Sequence, residues 1–347
     1  MSGHITKVTI LDIARELNIT AATVSRALND HPGIRESTKK AVRETATRLN
    51  YKHNKIASSL RLGRSSIIGV IIPSAEINFF GSVVHGIEKV AAENNYTVLI
   101  YQSNELYEHE KKGVQTFLQS RVDGVLASIS KETINLDHYS EIRNRGIPLV
   151  LFDRTDDRLG VASVEVDDFA GAFQATSHLI DEGCRRVAHI AGQQHVNIFN
   201  LRLKGYVEAL NVHNIPLNDD LIVYGKVSID SGRECMNQLL SRPVIPDAVF
   251  AVEDFTALGA IQAIKAAGLR IPEDIAIIGF ANEAFGEYIT PSLSTVNQQT
   301  VIMGEEAARL LFEGLRRGGA PPRKLVLKPQ VICRGSSRRS SDRAGTP

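Results

Sequence analysis

Near the start of the chain, apolar positions recur at helical spacing. Ile10, Ile13, Ala14 and Leu17 fall at i, i+3, i+4 and i+7, the stripe of one buried helix face. Thr9 stands ahead of that stripe as an N-cap, with Asp12 three residues on as a capping-box carboxylate. Asn18 follows where a left-handed residue must turn the chain, a conformation Asn tolerates better than any residue but Gly. Thr20 can then cap a second helix with Val24, Ala27 and Leu28 inward and Ala21, Ala22, Ser25 and Arg26 outward. A third helix, about Glu36 to Asn50, closes the small core with Ala41, Val42, Ala46 and Leu49. Two short helices joined by a tight turn, the second with a small and polar outer face, read as a helix-turn-helix whose second helix enters a major groove.

From Ser66 the pattern changes to short apolar runs alternating with helical stretches. Residues 67–72, 97–101, 124–127, 148–152, 187–191, 248–252 and 275–279 read as buried strands. Residues 80–94, 109–120, 168–182, 203–213, 231–240, 256–267 and 300–314 read as the helices between or after them. Such alternation implies parallel sheet with right-handed crossovers. The span is about twice one doubly wound unit, so two lobes are expected, the second beginning near Ser163. The expected fold is thus a small all-α helix-turn-helix domain followed by an α/β body of two doubly wound parallel-sheet lobes. The domain reading is 1–53 for the helix-turn-helix, 54–64 for a basic linker, 65–335 for the body and 336–347 for a polar, disordered tail.

Charge sharpens this division. The whole chain carries only +1, yet residues 1–64 hold 12 Lys and Arg against 5 Asp and Glu, a net +7 that leaves −6 for the rest. A polyanion partner would therefore meet the N-terminus. Hydrophobic content of 43% over 347 residues is ample for a large packed body. The three cysteines, Cys184, Cys235 and Cys333, are odd in number and widely spaced, which fits neither a disulfide framework nor a zinc site. They imply a reducing compartment. With no signal-peptide core before Ile10 and no apolar run long enough to span a bilayer, a cytoplasmic protein without membrane contact is expected.

Ligands of open parallel sheets bind beyond the carboxyl ends of the strands. Those loops carry Phe79 and Phe80, Asp153 and Arg154, Asn197 and Asn200, Glu253 and Asp254, and Ala281 and Asn282, which are candidates to converge on one cleft. Enzymatic motifs are missing. Ile72-Pro73-Ser74 stands where a phosphate-binding glycine loop would follow the first strand, and neither a G-x-S-x-G elbow nor an H-E-x-x-H occurs. Asp167-Asp168 could suggest a metal, but Asp168 is read as the cap of the helix it opens. No cofactor is expected.

Val8-Thr9-Ile10 leading to Asp12-Ile13-Ala14, then Thr23 to Asn29, then Leu49-Asn50-Tyr51, then Asn54, Ala57 and Leu60, resemble the lactose-repressor (LacI/GalR) family of bacterial transcription regulators. The resemblance continues through Ile68-Gly69-Val70, Asp123-Gly124-Val125, residues 179–183, Leu203-Lys204-Gly205-Tyr206, residues 257–260 and Thr290-Pro291-Ser292-Leu293. It implies a homodimer on a pseudo-palindromic double-stranded DNA operator, controlled by a small-molecule effector held between the lobes. It implies DNA contacts from Thr9, Thr20, Ala21, Ala22, Thr23, Ser25, Arg26, Asn29 and Tyr51, with Arg26 reading a base. It makes residues 54–60 a hinge helix, with Asn54 at its start, Lys55 near phosphates and Leu60 wedged into the minor groove beside Ala57. It implies three chain crossings between lobes, returning residues 293–321 to the first. The tail lacks the leucine heptads that some relatives use to tetramerise.

Three departures bear on the effector. Asn200 stands where members of the family commonly place an arginine, Glu253 where they place an asparagine, and Ala281 where they place an aspartate. An aromatic clamp of the second lobe is Val227, and Ile77-Asn78 replaces the Asn-Pro that often precedes the aromatic pair. A cation lost at Asn200 and a carboxylate gained at Glu253 argue against an anionic effector. A neutral sugar or polyol is expected, bonded by Asp153, Glu253, Asn200 and Asn282 and stacked on Phe79 or Phe80. A two-lobed solute-binding transport protein is the alternative. It predicts a signal peptide and no basic N-terminal module, and the sequence opposes both.

Overall fold

The computed structural model describes residues 8–51, 64–317 and 322–339, and the chain divides into two compact units, Met1–Ser65 and Ser66–Pro347. In the first, α1 (Ile10–Leu17), α2 (Ala21–Leu28) and α3 (Glu36–Arg48) form around Ile13, Ala14, Val24, Ala27, Val42 and Ala46. Burying a side chain such as Ile13 or Val24 contributes about 1.5–3 kcal/mol. Asn18 adopts φ 51°, ψ 44°, the left-handed turn its position calls for. The Asp12 carboxylate accepts from the Thr9 N–H at 2.9 Å and from its hydroxyl at 2.8 Å, and Thr20 Oγ1 accepts from the Thr23 N–H at 3.1 Å. Ala21 and Ser25, expected to face outward, are half-buried, and Ala21 and Tyr51 pack against this core.

The second unit is two lobes. The first holds β1 (Ile67–Ile72), α4 (Asn78–Glu93), β2 (Thr97–Gln102), α5 (Tyr107–Gln119), β3 (Gly124–Ala127), α6 (Asp137–Asn144), β4 (Leu149–Phe152) and β5 (Ala162–Val166). The second holds α7 (Asp168–Asp181), β6 (Val187–Ala191), α8 (Asn197–Val212), β7 (Ile222–Tyr224), α9 (Ile229–Leu240), β8 (Ala248–Ala251), α10 (Asp254–Ala266) and β9 (Ala276–Ile278). The chain then crosses back through β10 (Thr295–Asn297) to α11 (Thr300–Arg317) and β11 (Lys324–Leu327) in the first lobe, and leaves it again through β12 (Gln330–Ile332). The lobe sheets run β11-β5-β4-β3-β1-β2 and β7-β6-β8-β9, all parallel, while β10 and β12 pair antiparallel as a crossover ribbon. Parallel strands covered on both faces are buried at every position, as β3, β4, β6 and β8 are, and their residues are apolar except for His189 of β6.

The return of α11 is fixed at backbone distance. A Cβ on Gly86 of α4 would lie 2.1 Å from the Val301 oxygen, and one on Gly304 of α11 would lie 2.0 Å from the Val83 oxygen. Only glycine lets these two helices cross so closely.

Three sequence readings need correction. The second lobe does not begin near Ser163, because Ala162–Val166 is β5 of the first sheet, hydrogen-bonded between β4 and β11. Its polar positions hide it, since the Glu165 carboxylate accepts from the Thr155 and Ser163 hydroxyls inside the fold. Asp168 is not a cap. Asp167 caps α7, while Asp168 is 2% exposed and pairs with Arg202. Finally, residues 336–339 are not a free tail. Ser336 and Ser337 are fully buried, Ser336 Oγ donates to the Ile277 oxygen at 2.7 Å, and Arg339 Nη2 donates to the Asp247 oxygen at 2.6 Å. Hydrogen bonds fasten a segment whose composition gives no sign of packing. Residues 340–347 lie outside the described residues.

Candidate functional site

The outer face of α2 carries the DNA-reading candidates. Ala22, Arg26 and Asn29 are exposed, and Thr23 and Ser25 are half-buried. Thr20 is exposed, with its hydroxyl 2.9 Å from that of Thr23, and Asn29 Nδ2 donates to the Ser25 oxygen at 2.7 Å. Around them most cations are already engaged: Arg15 with Asp12, Lys39 and Arg43 with Asp30, and Arg48 with Glu16. Arg26 makes no ion pair among the described residues, so its guanidinium is available to an outside partner. Thr9 is exposed at the start of α1. Asn54, Lys55, Ala57 and Leu60 lie outside the described residues.

In the second unit the lobes face each other across a space of about 530 Å3, counting its open mouth. The first lobe lines it with Phe79 and Phe80, packed edge to face at 5.0 Å on the first turn of α4, with Asp153 and Arg154 after β4, and with Lys131 after β3. The second lobe adds Ile198, Phe199 and Arg202 of α8, Val227, Glu253 and Phe255 at the start of α10, and Ala281 and Glu283; Ile77 and Gln298 complete the lining.

Most charges in this space are neutralised by neighbours. Arg202 donates to Asp168 at 2.7 Å and to the Val252 oxygen at 2.7 Å, with its guanidinium 3.7 Å from the centre of the Phe280 ring. Arg154 donates to both Glu105 oxygens at 2.7 and 2.9 Å, and Lys131 lies 3.5 Å from the same carboxylate. Glu253 is engaged by its own helix, accepting from the Phe255 and Thr256 N–H groups at 2.9 and 2.7 Å. Glu283 Oε1 accepts from the Phe79 N–H at 3.2 Å, a bond between lobes, while its own N–H donates to Asp254 at 2.7 Å. Burial raises the carboxyls of Asp153, Asp168, Glu253 and Glu283, and carries Asp254 to about 7. Two buried donors of the lining have no hydrogen-bond partner among the described residues: Arg154 Nε, 3.8 Å from Asp153, and Gln298 Nε2. Groups of this kind await a ligand or water.

Some of the left-handed backbone positions of the chain fall here. Asp153 (φ 61°), Val227 (φ 60°) and Ala281 (φ 129°) line the space, and Asn282 (φ 57°) follows. Non-glycine residues in this region each cost of the order of 1–3 kcal/mol and cluster at ligand clamps.

Of the ligand candidates, Phe79, Phe80, Asp153, Val227 and Glu253 reach the central space. Asn200 and Asn282 do not line it. Asn200 Nδ2 donates to Gln194 at 3.3 Å, and Asn282 Oδ1 accepts from Arg334 at 2.9 Å. The cation expected lost at Asn200 is present two positions on as Arg202, which a helix turns by about 200°. Starting this helix at Leu203, as the sequence pattern suggests, is six residues late and leaves both Phe199 and Arg202 in a loop. Lys131 escapes the sequence reading because it follows β3 in a loop without an apolar or capping signal, although β3 itself is recognised. Gln298 follows β10, a strand of three residues too short to register.

A helix-turn-helix unit and a two-lobed body with a ligand-sized cleft define a DNA-binding transcriptional regulator. Residues 9–54 match the model for bacterial regulatory proteins of the lacI family, and residues 176–337 match a periplasmic binding protein-like domain. The HTH-type transcriptional repressor PurR of Pasteurella multocida (strain Pm70) is 31% identical over 94% of this chain and 98% of its own length. Catabolite control protein A of Priestia megaterium is 34% identical over 89% of this chain and 93% of its own. Among solved structures, the transcriptional regulator CelR-cellobiose complex superposes with a TM-score of 0.72 at 29% identity, covering 95% of this chain and 99% of that one. The chain belongs to the LacI family of transcriptional repressors. Among the described residues no helix is long and apolar enough to cross a membrane.

Proposed function

We propose that this repressor acts in the cytoplasm as a homodimer on a pseudo-palindromic operator, and that a neutral sugar or polyol in the cleft sets its operator affinity. The carrying observation is the internal neutralisation of the cleft. Arg202 pairs with Asp168, and Arg154 and Lys131 share Glu105 with Asp153 beside Arg154, so the cations of the cleft are matched by carboxylates of the protein itself. Such an effector would also meet Asp153 and Glu283 at close quarters, which is costly in a buried space. Neutral hydroxyls suit the groups that remain: donors at Gln298 Nε2 and Arg154 Nε, the Asp153 carboxylate, and phenylalanine faces for a sugar ring. In the DNA-binding unit Arg26 reads a base edge, and Thr20, Ser25 and Asn29 position α2 on phosphates. Leu60 inserts at the central base step of the operator and carries the ligand response.

The test is a thermal-shift screen of neutral sugars, polyols and their phosphates, followed by gel-shift titration with the hits. A saturating ligand at about 100 times its Kd should stabilise the body by about 2.7 kcal/mol and change operator affinity. If only phosphorylated compounds or nucleotides shift the transition, the neutral-ligand reading is wrong. Leu60→Ala should weaken operator binding and flatten the ligand response; a full response in that variant would exclude the hinge role.

A further inference from the structure

The body of the chain, net −6 beyond residue 64, carries a cationic edge where the strands of the first lobe begin. Arg121 precedes β3, Arg323 precedes β11, and Arg316 lies in the last turn of α11. That helix meets α4 near its own start and packs Leu311 over Gly124, the first residue of β3. Arg316, five residues and about 7.5 Å further along α11, therefore stands past the strand starts. With β4 and β5 between β3 and β11, the three arginines spread over about 14 Å of edge, the rise of about four nucleotides in one DNA strand. All three are exposed, and none makes an ion pair or a side-chain hydrogen bond among the described residues. The carboxylates of this stretch are engaged: Glu141 by Arg145, Glu313 by Arg317, and Asp123 by the Ser66 N–H at 2.9 Å. Glu93 stands at the other end, before β2.

Two features show that these charges are not incidental surface. Arg121 follows the C-cap of α5 at φ 53°, a left-handed site that strains most side chains. The other helices of the body that leave by this turn use Asn95, Gly146, Gly183, Asn214 and Gly268. Arginine in their place gains nothing from the fold, because its guanidinium has no partner there. The second feature is the entry of the chain. Ser66 is fixed at this edge by Asp123 and by the Thr97 N–H, which donates to the Ser66 oxygen at 2.9 Å. Residues 52–65, which lead to it, contain Lys52, Lys55, Arg61 and Arg64 and no carboxylate. Connectivity thus places one cationic segment beside another that cannot neutralise it. A polyanion shared by both relieves the repulsion.

We propose that the duplex held by the helix-turn-helix is also bound by the body, with Arg121, Arg316 and Arg323 donating to phosphates along one strand. Residues 52–65 span at most about 50 Å, so the second contact forms at a high effective concentration. Guanidinium forks match phosphate oxygens and read no base. The edge therefore adds strength and salt dependence while leaving sequence preference to α2.

Fluorescence anisotropy of the ligand-free full-length protein tests this, on a duplex that the protein has itself selected from a random pool, between 50 and 200 mM salt. Arg121→Gly should flatten the plot of log affinity against log salt by about 1 per bound subunit and weaken binding roughly fivefold or more at 100 mM salt. Its thermal transition should not fall, since glycine relieves the left-handed turn, so the loss cannot be laid to unfolding. Adding Arg316→Gln and Arg323→Gln should flatten the plot by about 3 per subunit with the selected sequence unchanged. A control carrying Arg233→Gln, Arg242→Gln and Arg270→Gln removes as much charge from the second lobe, where each arginine faces an aspartate. It should change the slope by less than about 0.5. An unaltered slope in the triple edge variant, or an equal flattening in the control, overturns the contact and leaves DNA binding by the helix-turn-helix standing. Selection of no duplex by the unaltered protein overturns both.

Discussion

Replacing Arg202 by Met should destabilise the body more than any surface change, and the structure says by how much. Arg202 and Asp168 are each 3% exposed in their side chains and meet at 2.7 Å. Removing the guanidinium leaves a buried carboxylate unpaired, which costs about 3–5 kcal/mol. Asp168→Asn leaves the guanidinium without its counter-charge and should cost a similar amount. The double variant has no buried charge to compensate. It keeps only the loss of the donor to the Val252 oxygen, roughly 1–3 kcal/mol for an unsatisfied buried carbonyl. The singles together should therefore exceed the double by about 3 kcal/mol or more.

Urea denaturation of the ligand-free protein by circular dichroism at pH 8 measures this, a pH chosen because burial raises the Asp168 carboxyl. With an m-value of about 3 kcal/mol/M, each single variant should lose roughly 1 M or more in midpoint. Additivity within about 0.5 kcal/mol would mean that the two residues do not form one charge-compensated unit.

Three further outcomes are expected. Arg26→Ala should cost about 1–3 kcal/mol on the cognate operator and relax preference at one base pair per half-site; equal weakening on every sequence, read by competition gel shift, would reassign Arg26 to the backbone. If about 6–10 phosphates are neutralised, operator affinity should fall by roughly 10³–10⁵ between 50 and 200 mM salt, and a flat log-log plot would contradict a mainly electrostatic contact. Burial lowers the His189 pKa from 6.5 to about 4, so the unfolded chain takes up a proton that the folded one resists. The associated stability is complete above pH 6.5 and is lost as pH falls toward 4, about 3 kcal/mol in all. His189→Phe should remove that much of the acid-side slope in urea midpoints, and an unaltered slope would clear His189 of the effect.

How much can be read from the residues depends on whether structure is held by apolar burial or by hydrogen bonds. Gly124–Ala127 and Val187–Ala191 are placed to the residue because each is a wholly buried and, except for His189, apolar run. The turn at Asn18 is legible because few residues tolerate its dihedral angles. By contrast Ala162–Val166 carries Ser163 and Glu165 inward, and residues 336–337 are buried serines. Their burial is stabilised by partners distant in sequence, Ser336 with Ile277 and Ser337 with Ser294, which no local pattern records. The cleft shows the same division. Its phenylalanine pair and Asp153 follow predicted strands, whereas Arg202 depends on where α8 starts, and that start is set by Val196 rather than by a polar cap.

The contact between Phe79 and Glu283 joins the two lobes directly across the cleft. Glu283 belongs to the second lobe, yet its carboxylate accepts from the N–H of Phe79 at the start of α4 in the first. Its backbone is anchored from behind, since Asp254 accepts the Glu283 N–H at 2.7 Å and the Thr295 hydroxyl on the crossover ribbon donates to Asp254 at 2.7 Å. A hydrogen bond to a charged group contributes about 1.5–3 kcal/mol, enough to keep the lobes together before any ligand arrives. Glu283→Ala should therefore shift the free protein toward an open form. A ligand that binds only the closed form would then lose affinity in proportion to the closed fraction, by roughly tenfold for a shift of 1.4 kcal/mol. Hydrogen exchange reads the first effect, as faster exchange of the Phe79 amide without ligand, and titration calorimetry reads the second. If the Phe79 amide stays equally protected in Glu283→Ala and ligand affinity does not change, the lobes are held by other contacts, such as the crossover ribbon and the bond between His195 Nε2 and the Lys131 oxygen, and Glu283 has no part in closure.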